Sequence, residues 1–200
     1  MSTQLTIYSV SLENVQRWVR QPPPGTLEQT RRRAIAMDAH SQGNGSSSVV
    51  EAVDDIFGGR PTNPDAGDAY ARVWQDVIEY GESTRFDLGP LRHGARFLHQ
   101  ASEELKAAGI PRELTPLGFV YDNPFTGTPQ ASSAPVIGHV PAPRVPQLRE
   151  VYGATTTAPE TAGLVDVLLA AADETLRFNA FARNFPDGPL PPQDLVTFYG

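Results

Sequence analysis

The sequence predicts an α+β protein: a mainly helical single domain, residues 1–200, with a small sheet of three or four short strands. Three observations predict it. Apolar residues recur at i, i+3, i+4, i+7 spacing in six or seven segments. Alternating, β-rich stretches are few and short. Helices and strands do not alternate regularly, which excludes a βαβ layout. The length of 200 residues suits one domain, able to fold away roughly 70 % of its unfolded surface.

Gln4-Leu-Thr-Ile-Tyr-Ser-Val10 alternates and reads as a strand. Ser11 then caps a helix with Leu12, Val15, Trp18 and Val19 on one face, and Pro22, Pro23 and Pro24 stop it. Thr26 and Gln29 have capping-box spacing, opening a helix to about Ala39. Residues 41–48 read as a flexible loop. Ser48 and Glu51 form a second box ahead of Val49, Val50, Val53, Ile56 and Phe57, with Gly58-Gly59 as the end. Asn63 and Pro64 begin the strongest helix. It carries Ala66, Ala69, Tyr70, Val73, Trp74, Val77 and Ile78, and Gly81 is expected to close it in the left-handed conformation.

A further helix is predicted over 90–108, with Leu91, Ala95, Leu98, Ala101 and Leu105 inward and Gly109-Ile110-Pro111 as its stop. Residues 122–135 form a Pro/Gly-rich loop, and within 111–135 only Leu117-Gly-Phe-Val-Tyr121 has the composition for a strand, the optional fourth. Val136-Ile-Gly-His-Val140 is a clearer strand. A helix from about Arg144 to Tyr152 follows, with Pro146 in its first turn. Thr157 and Glu160 give another capping box. The next helix carries Leu164, Val165, Leu168, Ala171, Ala172, Thr175, Leu176, Asn179 and Phe181. Pro186-Asp-Gly188 is a turn, and Leu195-Val-Thr-Phe-Tyr199 is a last strand.

Composition bounds the chemistry. The chain has 16 Lys+Arg against 23 Asp+Glu, a net charge of −7, and no Cys. Disulfides, thiolate metal sites and a cysteine nucleophile are therefore excluded. An acidic balance lacks the basic face that nucleic acid requires. No stretch reaches the ~18 apolar residues of a membrane span, and residues 1–20 lack the apolar core of a signal peptide. A soluble cytoplasmic protein is expected. Arg supplies 15 of the 16 basic residues, the coding signature of a GC-rich genome.

Reactive constellations are sparse. None of His40, His93, His99 and His139 has the i, i+4 His partner of a metal-binding helix, so neither metal nor cofactor is expected. His99 shares a helical face with Glu103, which suits proton transfer or a plain surface pair. Asp38 with His40, and Asp54-Asp55, read as solvated acids. Ser46-Ser-Ser48 lacks the glycines of a nucleophile elbow. Gly43-Asn-Gly45 and Gly58-Gly59 lack a phosphate-loop continuation. Successive helical residues diverge by about 100°, so Arg31, Arg32 and Arg33 cannot converge on one ligand. Tyr70 and Trp74, at i, i+4, form either a core stripe or a groove wall, with Asp68 and Arg72 paired at the rim. Phe119, Tyr121 and Phe125 are either pinned to the core or free for a partner. The candidate binding residues are thus Asp68, Tyr70, Arg72, Trp74, His99 and His139, with no catalytic residue assigned.

Several short motifs occur in a recognisable order. Leu5-Thr-Ile-Tyr8 precedes Leu12-Glu-Asn-Val15, and Val50-Glu-Ala-Val53 runs into Gly58-Gly-Arg-Pro61. Asp68-Ala-Tyr-Ala71 leads to Trp74. Leu105-Lys-Ala-Ala-Gly-Ile-Pro111 and Ile137-Gly-His-Val140 follow. From about 4 to 182 this layout resembles a family of actinobacterial proteins described as a domain of unknown function, and more loosely the YfbM-like proteins. The Pro-rich stretch at 141–146 and the loop at 41–48 depart from that pattern. The resemblance implies a compact α+β fold in the bacterial cytoplasm and no catalytic residue.

Two functions follow as expectations. One is a non-enzymatic interaction protein, of immunity or accessory type, whose net charge matches a basic protein partner. The other is a small-molecule binder or enzyme with its site beside the Tyr70–Trp74 helix.

Overall fold

The computed structural model describes residues 3–41, 47–81, 83–91, 95–131, 135–186 and 188–200. Among them four strands, β1 (Thr3–Val10), β2 (Thr84–Leu91), β3 (Val136–Val140) and β4 (Asp194–Tyr199), form one sheet in the order β2-β1-β4-β3. All three pairings are antiparallel. The central pair runs from Leu5 opposite Tyr199 to Val10 opposite Asp194.

Helices cover both faces of this sheet. Tyr8, Val10, Ile137, Val196 and Phe198 point to one face. There they join the buried residues of α1 (Leu12–Arg20), α3 (Val49–Phe57) and α4 (Gly67–Glu79), with Ala34 of α2 (Thr26–Ser41). Leu5, Ile7, Val140, Leu195 and Tyr199 point to the other. They meet α5 (Ala95–Ala107), α6 (Pro116–Phe119), α7 (Val145–Gly153) and α8 (Pro159–Arg183). A sheet covered on both sides needs apolar residues at nearly every strand position, and β4 is buried from Leu195 to Tyr199.

Local chemistry explains several element boundaries. Ser11 Oγ accepts the Asn14 N–H and starts α1, and Ser48 Oγ accepts the Glu51 N–H and starts α3. Asn63 accepts the Asp65 N–H and opens a 3₁₀ turn, Pro64–Ala66, that runs into α4. Gly109, at φ +92°, ends the α5 segment in the left-handed conformation that glycine adopts without strain.

Several expectations are corrected. The segment 117–121 is not a strand. Pro116–Phe119 is a short helix, α6, because the segment packs against β3 from the sheet's face. A Cβ on Gly138 would lie 2.2 Å from Phe119 O and 2.4 Å from Val120 Cα. The helix predicted over 90–108 begins at Ala95, and Leu91 belongs to β2. That strand holds Gly89 and Pro90, and proline is tolerated in a strand only at a sheet's edge or a bulge.

Gly81 is not left-handed. A Cβ there would come 2.9 Å from Trp18 Cζ3, so the glycine admits the tryptophan. Thr26 lies inside α2 rather than capping it. No side chain at 157 or 158 caps α8; the Glu104 carboxylate, 54 residues earlier, accepts the Ala158 N–H instead. Residues 42–46 of the expected loop at 41–48, His93, and 132–134 of the 122–135 loop lie outside the described residues.

Candidate functional site

Helix α4 carries four of the six candidate residues, and its buried side is built of fixed contacts. Tyr70 is fully buried. Its hydroxyl donates to Asp55 Oδ2 at 2.7 Å and accepts the Asn63 N–H at 3.2 Å, tying α4 to α3 and to the turn that starts it. Burial and the bond to Asp55 raise the tyrosine pKa above its ordinary value. Trp74 is 5 % exposed and stacks flat on Phe125 at 3.8 Å between ring centroids. Its Nε1–H donates to Thr128 Oγ1 at 3.3 Å. The Tyr70–Trp74 stripe is core, and Phe125 is pinned to it. Tyr121 is exposed.

Two separate clefts flank α4. Trp74, with Phe125, Ile56 and Arg20, borders one of about 230 Å³. Arg72 borders another of about 520 Å³, between α4 and the open end of the sheet, with Thr6, Met37, Gln75, Asp76 and Phe198. Asp76 is buried and ion-paired there, 2.7 Å from Arg33 Nε. The Arg33 guanidinium also lies 4.0 Å from the centre of the Tyr80 ring, a cation–π arrangement. The three arginines of α2 diverge as helical geometry requires. Arg31 pairs with Asp54, Arg32 with Glu28 and Arg33 with Asp76.

The two histidines stand apart from this region. His99 is exposed on α5, across the sheet from α4. Its expected partner Glu103 faces Lys106, and Glu104 holds the start of α8 through Ala158 and Thr161. His139 lies on β3, with Nε2 3.7 Å from Asp194 Oδ1. That carboxylate also accepts the Ala142 N–H at 2.8 Å, ahead of α7. Among the described residues no group of three His, Asp or Glu is placed to hold a metal ion. None of the described helices is long and apolar enough to cross a membrane.

Asp38 has a definite task. It accepts bonds from the Ser48 hydroxyl and the Val49 and Val50 N–H groups, at 2.8, 2.8 and 3.2 Å. Burial pushes its pKa up, but the three hydrogen bonds and the nearby Arg72 outweigh that, and the net shift is downward. A carboxylate at a helix N-terminus also opposes the positive end of the helix dipole.

Sequence periodicity misplaced one side chain. Phe181, read as part of the inward stripe of α8, is 56 % exposed. Its ring meets Phe185 edge-on at 5.5 Å and Phe178 at 6.5 Å. Phe178 also borders a small cleft with Trp18 of α1. The result is a three-ring aromatic ridge formed by the end of α8 and Phe185 just beyond it, with Arg177 one helical turn before Phe181. The i, i+3 spacing of Phe178 and Phe181 also occurs on a core face. Only the position of the sheet decides between them.

No curated protein and no solved structure matches the chain. The family model described as "Domain of unknown function (DUF7691)" matches residues 1–200. The chain therefore belongs to the DUF7691 family.

Proposed function

We propose that this protein is a non-enzymatic interaction protein, of immunity or accessory type, that binds a macromolecular partner with a basic surface. The observation that carries the reading is the solvent-facing ring of Phe181, flanked by the half-buried rings of Phe178 and Phe185. Large exposed aromatic side chains are the usual anchors of protein interfaces. The net charge of −7 supplies long-range attraction to a basic partner and speeds encounter. The carboxylates of Asp38, Asp55, Asp76, Glu104 and Asp194 are engaged in hydrogen bonds that hold helices in place, which suits a scaffold. The arginine-rich basic set supports an actinobacterial origin, and the reading places the protein in the cytoplasm.

The test is affinity capture from host lysate at low and moderate salt. A stoichiometric basic protein, retained more strongly at low salt, is the expected result. Recovery of no stoichiometric protein contradicts the reading.

The 520 Å³ cleft beside Arg72 favours a second reading, a small-molecule binder or enzyme with its site on α4. A ligand screen by thermal shift separates the two, because a ligand that binds the native state raises the melting temperature.

A further inference from the structure

We propose that the outer edge of β2 pairs with the same strand of a second copy of this chain, joining two four-stranded sheets into one continuous antiparallel sheet.

The two ends of the sheet differ. At the β3 end, Ile137 O points away from β4 and accepts from Gln130 Nε2 at 3.2 Å. That outward backbone group already has a partner. At the β2 end, the strand order stops. The alternation of hydrogen bonds shows which groups face out. Gln4 and Gly200 exchange backbone bonds, so the even residues of β1 face β4 and the odd ones face β2. Ile7 and Ser9 therefore bond to their partners Phe86 and Thr84. Arg85 and Asp87, lying between, direct their N–H and C=O groups outward. Among the described residues no backbone bond reaches those groups. An unpaired strand edge of this kind is a template for another strand.

The side chains select the occupant and the register. A strand added at this edge must bring its own outward groups opposite those of Arg85 and Asp87. Between two copies, three two-fold registers satisfy that condition within the strand. One sets Arg85 against Arg85, and one sets Asp87 against Asp87. Like charges directly opposite are unfavourable. Arg85 already pairs with Glu79 and Asp87 of its own chain; the third register, centred on Phe86, adds Asp87 of the other copy opposite Arg85, twice, and extends that pairing across the seam. It also brings the two Phe86 rings together as a non-hydrogen-bonded pair, where side chains are closest. Phe86 and Leu88 pack against the core beneath the sheet but remain half-buried, so a second copy would cover them. Pro90 and the irregular register near Gln4 confine the pairing to 84–88. The interface is isologous, so it closes at two copies.

Sedimentation velocity over a concentration series tests this. The full chain is expected to sediment at twice 21.7 kDa at high concentration. Arg85→Asp alone and Asp87→Arg alone each place like charges opposite one another and should give single-chain mass. An equimolar mixture of the two variants restores opposite charges at both positions and should regain the doubled mass. Amide exchange at Arg85 and Asp87 of the unaltered chain should slow as concentration rises, which keeps the test decisive if a variant folds poorly. A single-chain mass at every concentration overturns the proposal. So does a dimer that both variants leave intact, or exchange at these amides that ignores concentration. Capture of a basic partner is a separate measurement, and its outcome leaves this one unaffected.

Discussion

Asp38 shows how one charged side chain is assigned a structural task. Its carboxylate accepts three hydrogen bonds at the start of α3, and its pKa in the folded chain lies below the ordinary 3.8. The group therefore contributes stability above that ordinary value and loses it as pH falls through the lower folded value. Asp38→Ala should destabilise the protein by about 1–2 kcal/mol at neutral pH. Denaturant titrations across an acid series should show a flatter fall in stability for the variant. Trp74 and Phe125 supply a second test at this scale. Phe125→Ala removes the stacked ring from a buried site and should cost about 3–5 kcal/mol. A change in Trp74 fluorescence should accompany that loss in equilibrium unfolding.

Elements were legible where the signal was local. Ser11 and Ser48 cap α1 and α3 as their spacing indicates, and the alternation at 4–10 and the β-rich stretches at 136–140 and 195–199 match the observed strands. Elements or their caps are not legible where the deciding partner lies far along the chain. Glu104 starts α8 from another helix, and nothing at 157–160 announces that. Strand β2 combines exposed Arg85 and Asp87 with Gly89 and Pro90, a pattern without strand periodicity, so the sequence offers no strand there and gives residues 90 and 91 to the next helix. The α6 segment has the composition of a strand but lies against Gly138. Gly138→Ala places a methyl within 2.2 Å of Phe119 O and 2.5 Å of Thr197 Oγ1. Backbone cannot yield as a flexible side chain does, so the loss should be at least ~1–3 kcal/mol, read as a lower melting temperature. Glu104→Ala should cost about 1 kcal/mol, with amide exchange accelerated mainly at Ala158 to Thr161.

At the scale of the whole molecule, the sheet consumes most of the apolar stripes and leaves Phe181 outside, as it does Ile35, Tyr80 and Tyr121. The candidate residues divide accordingly. Tyr70 and Trp74 belong to the packed interior, Arg72 borders a cleft, and His99 and His139 stand on other elements. The phenylalanine ridge was hidden in the sequence because helical spacing identifies an apolar face without saying what covers it. Whether α8 presents that flank to the sheet depends on the angle at which it crosses β1 and β4, which no local motif sets. The functional account rests on the ridge being a binding surface rather than part of the core. The most direct test compares retention of the captured partner by the unaltered chain and by Phe181→Asp, with melting temperature as the check on folding. The account predicts an unchanged melting temperature and a loss of at least about 2 kcal/mol in binding, on the order of thirtyfold in affinity. Equal retention by both chains would contradict it.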